Sequence, residues 1–228
     1  VNYYVVVEGE VGEKLVYKDW IPYVAPGLVF APTIDAVKDN SFYIVSGGGY
    51  PNIFEVIDAA VDDVASIRSG AVPVFHRLVV AVDSEELTRE AAAAEVEGAI
   101  TDRAAAIGAA IDYRVIVQHF CLEAWALGNR RIVSKNVRDS ALSEFLDVHN
   151  VSSEDPELLP AFPAQGLNRA QAAAVYLRRL LNNKFRRLTY TKGRPDALLN
   201  RKYFEQVIAR HNDTGHIDSF STFVSAFT

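Results

Sequence analysis

Tyr3-Tyr4-Val5-Val6-Val7-Glu8-Gly9-Glu10 is the stretch on which the reading of the fold turns. Five β-branched or aromatic residues in succession suit a strand buried on both faces. The abrupt change to acid, glycine, acid marks its end. The same construction recurs at Leu78-Val79-Val80-Ala81-Val82, which runs into Asp83-Ser84-Glu85-Glu86. Two further strands follow from the same signals. Ser41 to Val45 leads into Ser46-Gly47-Gly48-Gly49, and Tyr113 to Val117 leads into Gln118-His119.

Helical patterns separate these strands. Val11 to Tyr23 reads as a helix ended by Pro22 and Pro26. Pro51 to Ile67 carries Ile53, Val56, Ile57, Ala60, Val61 and Val64 at the spacing of one apolar face. Glu85 to about Ile107 is alanine-rich and helix-forming, and another helix is expected near Leu122. Strands alternating with long helices require crossover connections, hence an α/β fold with a mainly parallel sheet flanked by helices. Beyond about residue 135 the pattern changes. Val148 to Gly166 is loop-rich, with Pro156, Pro160 and Pro163; Asn168 to Phe185 reads as a basic helix, and Arg201 to Arg210 and Ile217 to Phe227 as shorter ones. The expectation is an α/β domain over 1–135 and a mostly helical C-terminal extension over 136–228 packed on it.

Composition narrows the function classes. Half of the 228 residues are hydrophobic and 23% are charged, which is ordinary globular composition. No apolar run reaches the length of a membrane span. Val1 to Val7 has neither a basic leader region nor a cleavage site, so no secretory leader is expected. Cys121 is the sole cysteine and has no disulfide partner, which points to the cytoplasm. The net charge is −6, but residues 164 to 202 hold ten Lys or Arg and one acid, a net +9 that leaves −15 for the rest. A basic stripe beside an acidic body suits a protein that holds phosphates with one part and a cation with another; it equally suits a solvated helix face. Arg178 and Arg179 are adjacent and point ~100° apart on a helix, so both cannot face one phosphate path. Arg186, Arg187, Lys192 and Arg194 are better placed.

In parallel α/β sheets functional groups gather at the carboxyl ends of strands. Two of the four ends here are acidic and one is a glycine turn. Glu8, Asp83 and Glu85 are therefore candidate ligands for a hard divalent cation, which needs oxygen donors and room for water and phosphate. Gly47, Gly48 and Gly49 would let a substrate approach the backbone and would offer N–H groups to an anion. Each feature has a plainer reading. Glu10 and Glu13 suit a helix first turn, Asp83 with Glu86 suits a helix cap, and a glycine triplet can be a simple turn. Lys192 and Arg194, beside Gly193, would contact phosphate or form a charged turn. His119 and Glu123 would share a helix face if that helix starts early, and Glu123 is a candidate second-layer acid. Cys121 has no nearby base and reads as a buried thiol. His211 and His216 flank a helix break at Thr214-Gly215 and carry no expected chemistry. No P-loop, GxSxG, HExxH or paired CxxC occurs.

Val5-Val6-Val7-Glu8-Gly9-Glu10, with Glu13 following, resembles the opening motif of the Toprim domain of topoisomerases, bacterial primases and OLD- and RloB-type nucleases. Gly47 to Gly49 stands where that family has a glycine-rich turn. Asp83-Ser84-Glu85 stands where it has Asp-x-Asp, with Glu85 a departure from the usual Asp. Phe120-Cys121-Leu122-Glu123-Ala124-Trp125, Tyr190-Thr191-Lys192-Gly193-Arg194-Pro195 and His216-Ile217-Asp218-Ser219-Phe220 resemble segments of small standalone bacterial Toprim proteins associated with phage defence. The resemblance implies a Toprim-like fold and a Mg²⁺- or Mn²⁺-dependent nuclease acting on DNA or RNA. Glu8 would then be a general acid/base or metal ligand, and Asp83 and Glu85 would hold the metal. It also implies two alternatives: a non-catalytic subunit that docks on an ATPase partner protein, and nucleotidyl transfer of the primase type. A homo-oligomer is compatible with either role, and a membrane is not a partner.

Overall fold

The computed structural model describes residues 1–66, 75–185 and 190–228. Five strands form one parallel sheet: β1 (Tyr3–Val7), β2 (Val29–Ala31), β3 (Ser41–Ser46), β4 (Arg77–Asp83) and β5 (Tyr113–Gln118), in the order β2-β3-β1-β4-β5. Helices α1 (Gly12–Val24), α2 (Ile53–Ser66) and α3 (Arg89–Ala106) make the crossovers. α4 (Leu122–Ala126), α5 (Ser140–Val148), α6 (Arg169–Lys184), α7 (Arg201–Thr214) and α8 (Phe220–Ala226) follow.

β1 is central, bonded to β3 on one side and β4 on the other. That position explains why its five residues are all apolar and all buried. Side chains alternate between faces. Tyr3, Val5, Val7, Val79 and Ala81 face a core completed by α1 and the C-terminal helices, while Tyr4, Val6, Leu78, Val80 and Val82 face α2 and α3. The first core is continuous from Tyr3 to Phe227 and crosses residue 135 without a break. Its centre is aromatic: Trp20, Trp125, Phe220 and Phe223 are fully buried and meet mostly edge to face. The two indole N–H groups are satisfied inside, Trp20 by the Leu198 carbonyl at 3.1 Å and Trp125 by Ser219 Oγ at 2.7 Å.

Several boundaries differ from the sequence expectations for identifiable reasons. β2 was not expected; it is a three-residue edge strand behind Pro26-Gly27, too short to show a period. α5 precedes the loop-rich stretch, in residues to which the sequence reading assigned no element, and is capped by Asp139, whose side chain accepts from the Ala141 N–H. α1 runs to Val24, one residue past the expected end at Tyr23, with Pro22 inside its last turn, where it withholds one intrahelical hydrogen bond. α3 starts at Arg89, not Glu85. Thr88 caps it by accepting the Ala91 N–H at 3.1 Å, so Asp83 is no helix cap and residues 84–88 form a turn, closed by Leu87 N–H to the Ser84 carbonyl. Gly215 ends α7 in the left-handed region. Among the described residues no helix is long and apolar enough to cross a membrane.

Phe223 packs the last helix against α1, with its ring 5.2 Å from Tyr17, and stacks at 5.5 Å on Phe220 of its own helix. Phe223→Ala should lower the unfolding free energy by about 3–5 kcal/mol, measured by urea denaturation followed by far-ultraviolet circular dichroism.

Candidate functional site

Glu8 directly continues β1. Its N–H still bonds the Ala81 carbonyl of β4 at 3.0 Å, and its Oε2 accepts the Asp83 N–H at 3.0 Å. The parallel register sets Val7 beside Ala81, so the ends of β1 and β4 lie side by side and the Glu8 carboxylate turns toward Asp83. The glycine turn after β3 folds over the same place. The Gly47 N–H donates to Val7 O at 2.7 Å, the Gly49 N–H to Glu8 O at 2.9 Å, and the Gly48 N–H to Ser46 Oγ at 3.2 Å. All three amides are thus engaged within the chain, and the turn anchors Glu8 instead of presenting N–H groups to an anion. Gly48 and Gly49 have φ of 71° and 80°, and a Cβ on Gly47 would lie 2.6 Å from Ile53 Cγ1.

A cavity of about 310 Å³ opens over these residues. Glu8, Glu10, Glu13, Asp83, Glu85 and Glu123 reach it together with Lys192, and Gly49 is the member of the glycine turn on its wall. Glu13 is buried in the first turn of α1. Its carboxylate accepts the Gly9 N–H and the Gln118 side-chain amide. Glu123, only 2% exposed, accepts the Tyr190 hydroxyl at 2.8 Å. His119 does not share a helix with Glu123, because α4 starts at Leu122; its Nδ1 instead meets Ser84 Oγ at 2.8 Å.

The charge balance is strongly acidic. Burial, then the neighbouring carboxylates Glu13, Glu8 and Glu123, holds Asp83 well above the usual carboxylate range. Asp83 Oδ1 is buried and has no hydrogen-bond partner among the described residues. Glu8 is raised chiefly by burial, against the pull of the Asp83 and Tyr50 backbone amides. Burial pushes Glu13 up to about 7. Lys192, exposed on the opposite rim, is held above its usual range, first by Glu123 and despite partial desolvation.

Lys192 sits at the tip of a short turn in which Thr191 and Arg194 exchange backbone hydrogen bonds. Its carbonyl packs where a Cβ on Gly12 would fall, 1.7 Å away, so only glycine permits this approach. Arg194 is exposed and is not on the cavity wall, and Arg187 lies outside the described residues. A further groove of about 590 Å³ shares Glu85, Tyr190 and Lys192 and continues along α6 to Arg178. Arg179 points elsewhere and pairs with Asp139. Arg169 is engaged with the Glu157 and Leu159 carbonyls and the Phe120 ring, so it serves the fold.

From the sequence, Glu13 was named as a helix-end charge and as part of the Toprim-like opening motif but not as a site residue, and Gly12, Gln118 and Tyr190 were missed as parts of the site. The signal for Glu13 was its place one turn past a strand end, which helical amphipathicity explained equally well. Among the described residues no group of three or more His, Cys, Asp or Glu is arranged to hold a metal ion unaided. The donor set is nonetheless all oxygen, and the orphaned Asp83 oxygen beside Glu8 is a group that a hard cation would satisfy.

The buried acids set a pH dependence. A carboxyl raised from 4.5 to about 7 on folding favours the folded state fully below pH 4.5, and this contribution is lost as the pH rises through about 7. Glu13 should therefore make the protein less stable at pH 8 than at pH 4. Glu157, buried against Ser219 and also raised to about 7, adds in the same window. Glu13→Gln should be more stable than the parent at pH 8 and lose Glu13's share of the slope while keeping that of Glu157. Urea denaturation at a series of pH values without divalent cations measures this.

No family model, curated protein or solved structure matches this chain, so the reading of the site rests on its own residues.

Proposed function

We propose that the chain is a cytoplasmic Toprim-family nuclease, dependent on Mg²⁺ or Mn²⁺, that hydrolyses phosphodiester bonds of DNA or RNA as an effector of bacterial anti-phage defence. The observation that carries this reading is the pairing of Glu8 with Asp83 at adjacent parallel strand ends, around a buried carboxylate oxygen left without a partner. Mg²⁺ is commonly held by one or two carboxylates, with water and substrate phosphate filling the remaining positions. Asp83 and Glu8, with Glu85 at the rim, would hold the ion in that manner. Bound there, it would neutralise charge on the phosphoryl oxygens and lower the pKa of water.

The chain's own residues supply the rest. Glu8 is raised by burial and fixed by two backbone amides, which suits a carboxylate that takes a proton from attacking water or returns one to the leaving oxygen. Glu13 and Glu123 carry the negative field that attracts the cation, and each is pinned by a side-chain donor, Gln118 or Tyr190. Lys192 faces them across the cavity and would hold the phosphate that bridges the two sides. Arg178 extends a cationic path along the adjoining groove.

Millimolar Mg²⁺ or Mn²⁺ should raise the melting temperature by several degrees. The protein should cut plasmid, single-stranded DNA or total RNA, and EDTA should stop it. Asp83→Ala should abolish both responses and keep the fold; Glu8→Gln should abolish cutting and keep part of the thermal shift. Cutting that survives EDTA sinks the metal mechanism. A thermal indifference to both ions, with no cutting of any substrate, favours instead a non-catalytic subunit docking on an ATPase.

Lys192→Ala and Arg178→Ala together should weaken binding evenly across sequences and reduce the log–log salt slope by roughly one unit per lost contact. Fluorescence anisotropy over a range of salt concentrations reads this, and an unchanged slope assigns these cations to a role other than phosphate contact.

A further inference from the structure

Glu8, Asp83 and Glu85 also form one wall of a separate cavity, of about 290 Å³, on the α2–α3 side of the sheet edge. Its character differs from that of the acidic cavity. Ile53, Val82, Ala92 and Val96, all buried, make an apolar floor. Two large apolar side chains stand out to solvent on its lips: Tyr50, 67% exposed, and Leu87, 45% exposed. Neither contributes to a core, and such exposure at the mouth of a pocket marks a binding surface more often than a lone surface residue does. The Tyr50 ring is held edge-on by Phe54 at 5.5 Å, which leaves a face free. The Tyr50 backbone is tied to Glu8, so the ring is fixed relative to the carboxylates.

The rim determines what can enter. Glu86 and Glu95 line this cavity along with Glu85, and among the described residues no Lys or Arg does. A phosphate would be repelled there. A flat aromatic group bearing amino hydrogens would stack on Tyr50, cover the apolar floor and donate to the rim carboxylates. A nucleotide joins such a group to a phosphate, and the shared wall of Glu8, Asp83 and Glu85 lets the phosphate stand in the acidic cavity while the base lies in this one.

We propose that this cavity receives one unpaired base of a single-stranded nucleic acid chain next to the phosphate held at Glu8 and Asp83, with adenine or cytosine preferred over thymine or uracil. The inference deepens the nuclease reading and rests on it for the position of the phosphate. A base within a duplex cannot reach the pocket, so single strands, loops or ends are the substrate class.

The test uses the full chain and a short fluorescent single strand, with Ca²⁺ replacing Mg²⁺ for binding and Mg²⁺ restored for cleavage. An abasic residue stepped along the strand should weaken binding about tenfold at one position. Tyr50→Ala should cause a similar loss, keep the fold by circular dichroism and add nothing to the loss at that position. Tyr50→Trp should keep binding, and adenine or cytosine at that position should bind more tightly than thymine. If the strand is bound and cut but no position responds and Tyr50→Ala behaves as the parent, the base pocket is refuted and the nuclease reading stands. Base-dependent binding without cutting at any divalent cation would keep the pocket and refute the nuclease. Neither binding nor cutting of any strand would refute both.

Discussion

Parallel pairing of β1 between β3 and β4 is the constraint from which the rest of the molecule follows. Parallel strands present all their carboxyl ends on one side of a sheet. With β1 in the centre, that side receives Glu8 from the middle, the glycine turn from the left and Asp83 from the right. The Glu8 side chain then accepts the Asp83 amide, so the two acids are placed by backbone hydrogen bonding and not by attraction for each other. The same central position requires β1 to be apolar on both faces, which explains how an uninterrupted hydrophobic strand comes to end in an acid.

Bringing these acids together works against folding. Carboxylates in a half-buried cavity lose hydration and repel one another, and both effects raise their pKa values. Glu13, Asp83 and Glu8 are all displaced upward, while Lys192 is the one cation among the described residues that lines the cavity. The aromatic core below provides the stability to tolerate this. Trp20, Trp125, Phe220 and Phe223 bind the C-terminal helices to the sheet, and Ser219 links the Trp125 indole to the backbone after β5 and to Glu157. The C-terminal region thus completes both the core and the site, because the Tyr190–Lys192 turn it carries closes the cavity over Gly12.

Much of this architecture was legible in the amino-acid order, for reasons specific to each element. The strands other than β2 read clearly because each is a short, largely β-branched or aromatic run, and three of them are cut off by acid or by the glycine turn. α2 read clearly because Ile53, Ile57, Ala60 and Val61 keep a helical period. β2 did not, because Val29–Ala31 lies on the sheet edge, where few neighbours impose a pattern. The start of α3 was misplaced because Asp83 and Glu86 imitate a capping pair whose cap residue lies five residues before Thr88, the true cap. Choosing between them needs the turn at 84–87, which is held by a contact of Glu85 N–H with the Phe120 carbonyl, from a different part of the chain.

By itself, the sequence determined the α/β class, the parallel sheet and the positions of Glu8 and Asp83 at strand ends, since these depend on local periodicity and on what each strand runs into. Only the tertiary structure decided that Glu13 and Glu123 join the same cavity, that the three glycine amides are already engaged, that Arg178 faces the groove while Arg179 does not, and that Tyr50 and Leu87 frame an apolar pocket. These are relations between residues as much as 180 positions apart, as between Gly12 and Lys192, with no local signature. Burial, desolvation and close approach are properties of the packed chain, and they turn a scatter of acids along the sequence into one site.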